Sequence, residues 1–155
     1  MSVTRTFTVT VVSTGSGNKY YIDGVQQATV ELIEGNTYRF NQSDISNRFH
    51  PLKFSETLNG TGGEYTTGVT VTGAIDTGTG TSTRVVTFTV PSNAPNTLYY
   101  YCPNHSGMGA AITVQDSGTD YAYTTTAIKT FEVIRTGYSP FLNAVKKDSR
   151  SVSFV

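Results

Sequence analysis

Short stretches in which apolar residues recur at every second position run along this chain, and that pattern limits what it can fold into. Near the start, TRTFTVTVV sets Phe7, Val9 and Val11 on one side and polar residues on the other, the period of a strand with one buried face. The same texture continues in short runs broken by Gly, Asn and Asp. KYYIDGVQQATVEL holds an Asp23-Gly24 pair of the kind that closes a hairpin. NTYRFNQS follows a Glu34-Gly35-Asn36 turn, and GVTVTGAI and STRVVTFTV flank DTGTGT, a tip too rich in Gly and Thr for anything but a loop. NTLYYYC and AAITVQ lie on either side of a cysteine. Many short strands, with no convincing long helix, no βαβ unit and no tandem repeat, predict an all-β sandwich or barrel.

The chain has 155 residues, enough for one domain with a proper core and an appendage. Eleven Lys and Arg balance eleven Asp and Glu. A nucleic-acid partner is therefore not expected, because neutralising phosphates needs a basic surface. No apolar run reaches the length of about 18 residues that suits a membrane span. The N-terminus alternates from the start and reads as a strand instead of a signal peptide, which predicts the cytosol or an assembly built there. The lone cysteine excludes an intrachain disulfide. GTGG and GTGTG lack the lysine and following helix of a phosphate loop. Asp44, Glu56, Glu64 and Asp76 have no spacing that pairs carboxylates for glycoside hydrolysis.

After Gln115 the texture changes. DSGTDYAYTTTA reads as a polar linker and KTFEVIRTG as a strand. SPFLNAVKKDSR reads as a short helix, with Ser139 as N-cap and Pro140 at the first helical position. The expected organisation is a domain over residues 1–115 and a C-terminal extension over 116–155. The extension is too small to fold alone, so it is expected to dock on the first domain or on another chain.

Cys102, His105 and Met108 form C-x2-H-x2-M between two of the predicted strands. Thiolate, imidazole and thioether together suit copper, whose cuprous state prefers sulfur and whose cupric state accepts nitrogen. A site with a His2Cys plane needs one more imidazole, and the only other histidine is His50, in SNRFHPLKF. Pro103 stops the strand that carries Cys102, and Gly107 lets the backbone turn so that His105 and Met108 face the same point. Zinc is less well served, since a thioether would stand in for a good fourth ligand. A cysteine nucleophile would want an orienting group and an open cleft, and the sequence indicates neither. No enzyme activity is expected.

The segment YYYCPNHSGMG, with FHP upstream, resembles the copper loop of cupredoxins, the small blue-copper β-sandwich proteins. The likeness covers about residues 3 to 115. It implies a cupredoxin-like Greek-key sandwich and a type 1 copper ion held by His50, Cys102, His105 and Met108. Two positions depart from the family pattern. Pro51 follows His50 where an Asn that ties the two ligand loops is common, and Asn104 precedes His105 where a Pro is familiar. FHPLKFSETLNGTGGEYTTGVTVTG together with LYYYCPNHSGMG is also similar to cupredoxin-type modules of marine cyanophage structural proteins. That resemblance implies a virion protein assembled in the host cytoplasm, a capsid decoration or a tail component. Its partners would be other virion proteins or copies of itself, with neither membrane nor nucleic acid. A soluble blue-copper electron carrier is the alternative.

Overall fold

In the computed structural model, which describes residue 3, residues 5–78 and residues 80–117, ten strands make two sheets. In chain order they are β1 (Arg5–Thr14), β2 (Gly17–Ile22), β3 (Val25–Gln26), β4 (Val30–Ile33), β5 (Thr37–Asn41), β6 (Lys53–Ser55), β7 (Val69–Thr72), β8 (Val85–Thr89), β9 (Thr97–Cys102) and β10 (His105–Gln115). One sheet has the order β3-β2-β1-β5-β8-β7 and the other β4-β10-β9-β6. Each contains one parallel pair, β1 with β5 and β4 with β10, among antiparallel neighbours. The fold is the cupredoxin-like β-sandwich expected from the sequence. Among the described residues no helix is long and apolar enough to cross a membrane.

Alternation places the core. Phe7, Val9, Phe40, Val86 and Phe88 of the larger sheet face Leu32, Phe54, Leu98, Tyr100 and Ile112 of the smaller, all buried. Phe40 links the layers, 5.0 Å from Phe7 within its own sheet and edge-on at 5.2 Å to Phe54 of the other. Burying an aromatic or aliphatic side chain of this size contributes about 1.5–3 kcal/mol, so a dozen such positions offset much of the ordering cost of the chain.

The Asp23-Gly24 turn joins β2 to β3 as predicted, with Ile22 opposite Val25 and φ of 51° and 81° at the two turn residues. Both are left-handed, as a two-residue turn must be to follow the strand twist. Three details differ from the sequence expectation. The segment KYYIDGVQQATVEL divides between the sheets, with β4 crossing to the smaller one. β6 carries no readable period, because three residues are too few, and it is defined by pairing with β9. β10 begins at His105, so the cysteine segment is a bulged hairpin and not a free loop. The strand and helix expected within the extension lie outside the described residues.

Candidate metal centre

His105 opens β10 directly opposite Cys102, the last residue of β9, with only Pro103 and Asn104 between them. His50 reaches the same point from the connection between β5 and β6, just after a 3-10 turn at Ile45–Asn47. Cys102 Sγ lies 3.7 Å from His50 Nδ1 and 3.8 Å from His105 Nδ1. The three donor atoms all fall within 4.8 Å of one another. A metal bonded at about 2.0 Å to nitrogen and about 2.3 Å to sulfur puts the two donors roughly 3.7 Å apart when the angle between the bonds is about 120°. Both sulfur–nitrogen separations match that value. Cys102 and His50 are buried and His105 is exposed.

Met108 is fully buried and lines one hollow with His105, Asn18 and Asn104. It sits where the β9–β10 register slips between His105 and Ala110. A bulge of this kind re-aims a side chain that regular pairing would direct elsewhere. Gly109 closes the bulge, and a Cβ there would overlap the Tyr100 carbonyl. Gly107 holds a φ of 70°, the turn that its position in the sequence predicted. The structure therefore gathers His50, Cys102 and His105 into one group and keeps Met108 buried beside it.

His50 is fixed through its backbone as well as its ring. Its N–H donates to the Asn47 carbonyl at 2.7 Å. Its carbonyl accepts from the Tyr20 hydroxyl at 3.0 Å and from Gln42 Nε2 at 2.8 Å. Gln42 is completely buried. Its Nε2 also donates to Asn47 Oδ1, and its Oε1 accepts from the Leu52 N–H and from Arg84 Nε. Asn47, equally buried, donates to the Val9 carbonyl of β1 at 2.7 Å. One hydrogen-bond network thus joins the His50 connection to β1 and β2 of the larger sheet and to the residues flanking β5 and β8.

The ligand hairpin is tied down by residues in unfavourable backbone conformations. Among the described residues four non-glycines have positive φ, and three of them touch this segment. Phe49 (φ 62°) offers its carbonyl to Asn104 Nδ2 at 2.7 Å. Asn59 (φ 58°) accepts the Gly107 N–H at Oδ1, 2.8 Å. Gln27 (φ 45°) donates from Nε2 to the Gly109 carbonyl at 2.7 Å. From β2, Lys19 Nζ donates to the Gly107 carbonyl at 2.7 Å. Such conformations cost about 1–3 kcal/mol each and persist where surrounding contacts over-determine them. The Asn104 bond connects the two ligand segments, the tie that Pro51 is unable to supply.

The surroundings favour neutral nitrogen donors. Burial, with the His105 ring adding to it, holds the His50 imidazole below the ordinary histidine range, so at neutral pH it is free to bind through a ring nitrogen. Burial, and then the adjacent Cys102, hold the Tyr20 phenol well above its ordinary value, which keeps it a donor to His50. One sulfur and two imidazoles, two of the three buried, form a set that copper accepts. No carboxylate joins the group among the described residues, so a harder cation finds no oxygen ligand here.

Sequence reasoning located the donors and missed the frame around them. Gln42, Asn47 and Tyr20 lie in stretches that read only as strand or turn. Asn104 registered as a departure from a pattern, not as a tie. The signal available for Gln42 was a polar residue directly beyond an alternating strand, which is usually a surface position.

No family model matches the chain, and no curated protein matches it. Among solved structures, rusticyanin from Thiobacillus ferrooxidans is similar at 16% identity over 74% of this chain and 79% of that one, with a TM-score of 0.47. Reduced rusticyanin is similar at 19% identity over 74% and 82%, with a TM-score of 0.43. A variant of McoA multicopper oxidase from the hyperthermophile Aquifex aeolicus is similar at 14% identity, over 78% of this chain and 28% of that one, with a TM-score of 0.40. The case for a metal lies in the three donors and not in these likenesses.

Replacing Gln42 by Leu keeps the volume and leaves the Leu52 N–H, Arg84 Nε and Asn47 Oδ1 without their buried partner. The expected loss is about 3 kcal/mol, read from the urea midpoint at unchanged slope. A loss below about 1 kcal/mol would mean that the amide network does not hold the fold.

Proposed function

We propose that the protein binds one copper ion through His50, Cys102 and His105, with Met108 as a weak axial donor, and that it exchanges single electrons there. The observation that carries this reading is the convergence of one thiol and two imidazole nitrogens, with both sulfur–nitrogen distances at the value expected for donors sharing one metal. Copper, when bound, supplies a one-electron couple between its cuprous and cupric states. The remaining requirements fall to the chain. Cys102 is shielded at the end of an aromatic strand, His50 is held from its N–H, its carbonyl and its ring, and the bulge is restrained by Asn59, Gln27 and Lys19. Such restraint keeps the donors still while charge changes, which lowers the reorganisation that electron exchange requires.

His105 is the exposed ligand. Next to the segments tied to its hairpin stand two exposed apolar side chains, Phe49 at 46% and Leu58 at 56%. They add an apolar rim to the small polar patch of Pro103, Asn104, Ser106 and Gly107, which favours docking of a redox partner at this end. With one equivalent of Cu(II) the protein is expected to show a strong absorption band at about 600 nm, absent in Cys102→Ala, and a reversible potential. A copper spectrum unaffected by loss of Cys102 would contradict the reading.

A second reading is a structural role in a virion, and the outer face of the larger sheet favours it. Thr6, Arg39, Thr87 and Thr70 stand in register across four strands, beside Thr8, Asn41, Val85 and Thr72. This weakly charged face, with Arg39 its one charge among these eight residues, suits packing against another virion protein or another copy of the chain. Under this reading Thr8→Glu with Thr87→Glu leaves the copper spectrum unchanged and keeps the protein out of particles. Normal incorporation of the double variant would sink it. The docking role expected of residues 116–155 concerns a segment that lies, beyond residue 117, outside those described.

A further inference from the structure

The side chain of Asn18, in β2, meets the face of His50 turned away from the cysteine. Asn18 Nδ2 lies 3.2 Å from His50 Nε2, while His50 Nδ1 faces Cys102 Sγ at 3.7 Å. An amide NH2 only donates. With the amide turned this way Nε2 would accept, and the proton of a neutral ring would then lie on Nδ1, on the side of the sulfur. A metal bound through Nδ1 demands the opposite tautomer, with Nδ1 bare and Nε2 protonated. That N–H then needs an acceptor, as the second nitrogen of a metal-bound histidine almost always has.

Half a turn of the Asn18 amide brings its Oδ1 to the place its Nδ2 now occupies. Asn18 is partly exposed, it lines the hollow that also contains Ser16, Gly17, Asn104 and His105, and among the described residues its amide makes no other hydrogen bond. The next inward-facing residue of the same strand, Tyr20, holds the His50 carbonyl, so the backbone that carries the amide is itself fixed against His50.

We infer that Asn18 is a positioning residue for His50, its amide turning over when metal binds so that Oδ1 accepts from Nε2–H and keeps Nδ1 aimed at the metal. The inference rests on the copper reading. A carboxamide oxygen on Nε2–H makes the ring a better donor, which stabilises the cupric state relative to the cuprous one. Asn18 thereby sets affinity and potential without touching the metal.

The test compares the full-length protein with Asn18→Leu, nearly isosteric and unable to accept, and Asn18→Asp, which only accepts. Cu(II) affinity is measured by competition, the potential by voltammetry, and the His50 tautomer by 15N shifts in the Cu(I)-loaded native protein. Asn18→Leu is expected to lose about tenfold or more in Cu(II) affinity and to rise in potential. Asn18→Asp is expected to keep its affinity and fall in potential. The 15N spectrum should show Nε2 protonated. If Leu fails to fold, the Asp potential and the native tautomer decide. Should the native protein bind copper while both variants match its affinity and potential, or should Nδ1 carry the proton in the loaded protein, this inference alone is overturned. If the native protein binds no copper, the copper reading falls and takes this inference with it.

Discussion

The carbonyl of His50 receives two hydrogen bonds, one from the Tyr20 hydroxyl and one from Gln42 Nε2, and the placement of the whole site follows from that pair. A connection between β5 and β6 would otherwise be free to carry its histidine anywhere over the end of the sandwich. Both donors are fully buried and rooted at the larger sheet, in β2 and just beyond β5. They pin the His50 backbone against the smaller sheet, whose β9 ends in Cys102. The site forms where the two layers are forced to meet. The Gln42 amide makes four hydrogen bonds, which turns a costly buried group into a specific fastening.

From that fixed point the rest of the centre is a problem of holding a hairpin bulge. Regular pairing of β10 with β9 would continue the alternation past His105 and give Met108 no reason to lie where it does. The slip between His105 and Ala110 is held by the side chains of Asn59 and Gln27, and Asn104 just before it donates to the Phe49 carbonyl; Phe49, Asn59 and Gln27 all take left-handed backbone conformations. Strain accepted at several places around one group of side chains is evidence that their geometry is preorganised. The rigidity it implies belongs to the chain and needs no metal to supply it.

Much of the fold was legible because one face of each sheet is buried. Phe7 and Val9, Phe40, Val86 and Phe88, and Leu98 and Tyr100 recur at even spacing, and that spacing marks β1, β5, β8 and β9 in the sequence. The donors were legible for a different reason: a chain with one cysteine and two histidines offers few ways to build a soft metal site. The unread part is what lies between. β6 is too short for a period, and the crossing of β4 to the other sheet depends on its pairing with β10, some eighty residues later. The bonds of Gln42 and Asn104 span contacts that local patterning does not encode. Asn104 shows the difficulty clearly, since its role appears only once Phe49 is seen to lie against it, 55 residues away.

A frame of this kind implies donors that are in place before the metal arrives. Crystal structures of the metal-free and copper-loaded protein, with anomalous scattering to locate the ion, test that directly. The predicted result is a single copper peak bonded to His50 Nδ1, Cys102 Sγ and His105 Nδ1, with those atoms displaced by less than about 0.5 Å, the tolerance of a preorganised site. A peak elsewhere, or donors that come together only when copper is bound, would contradict it.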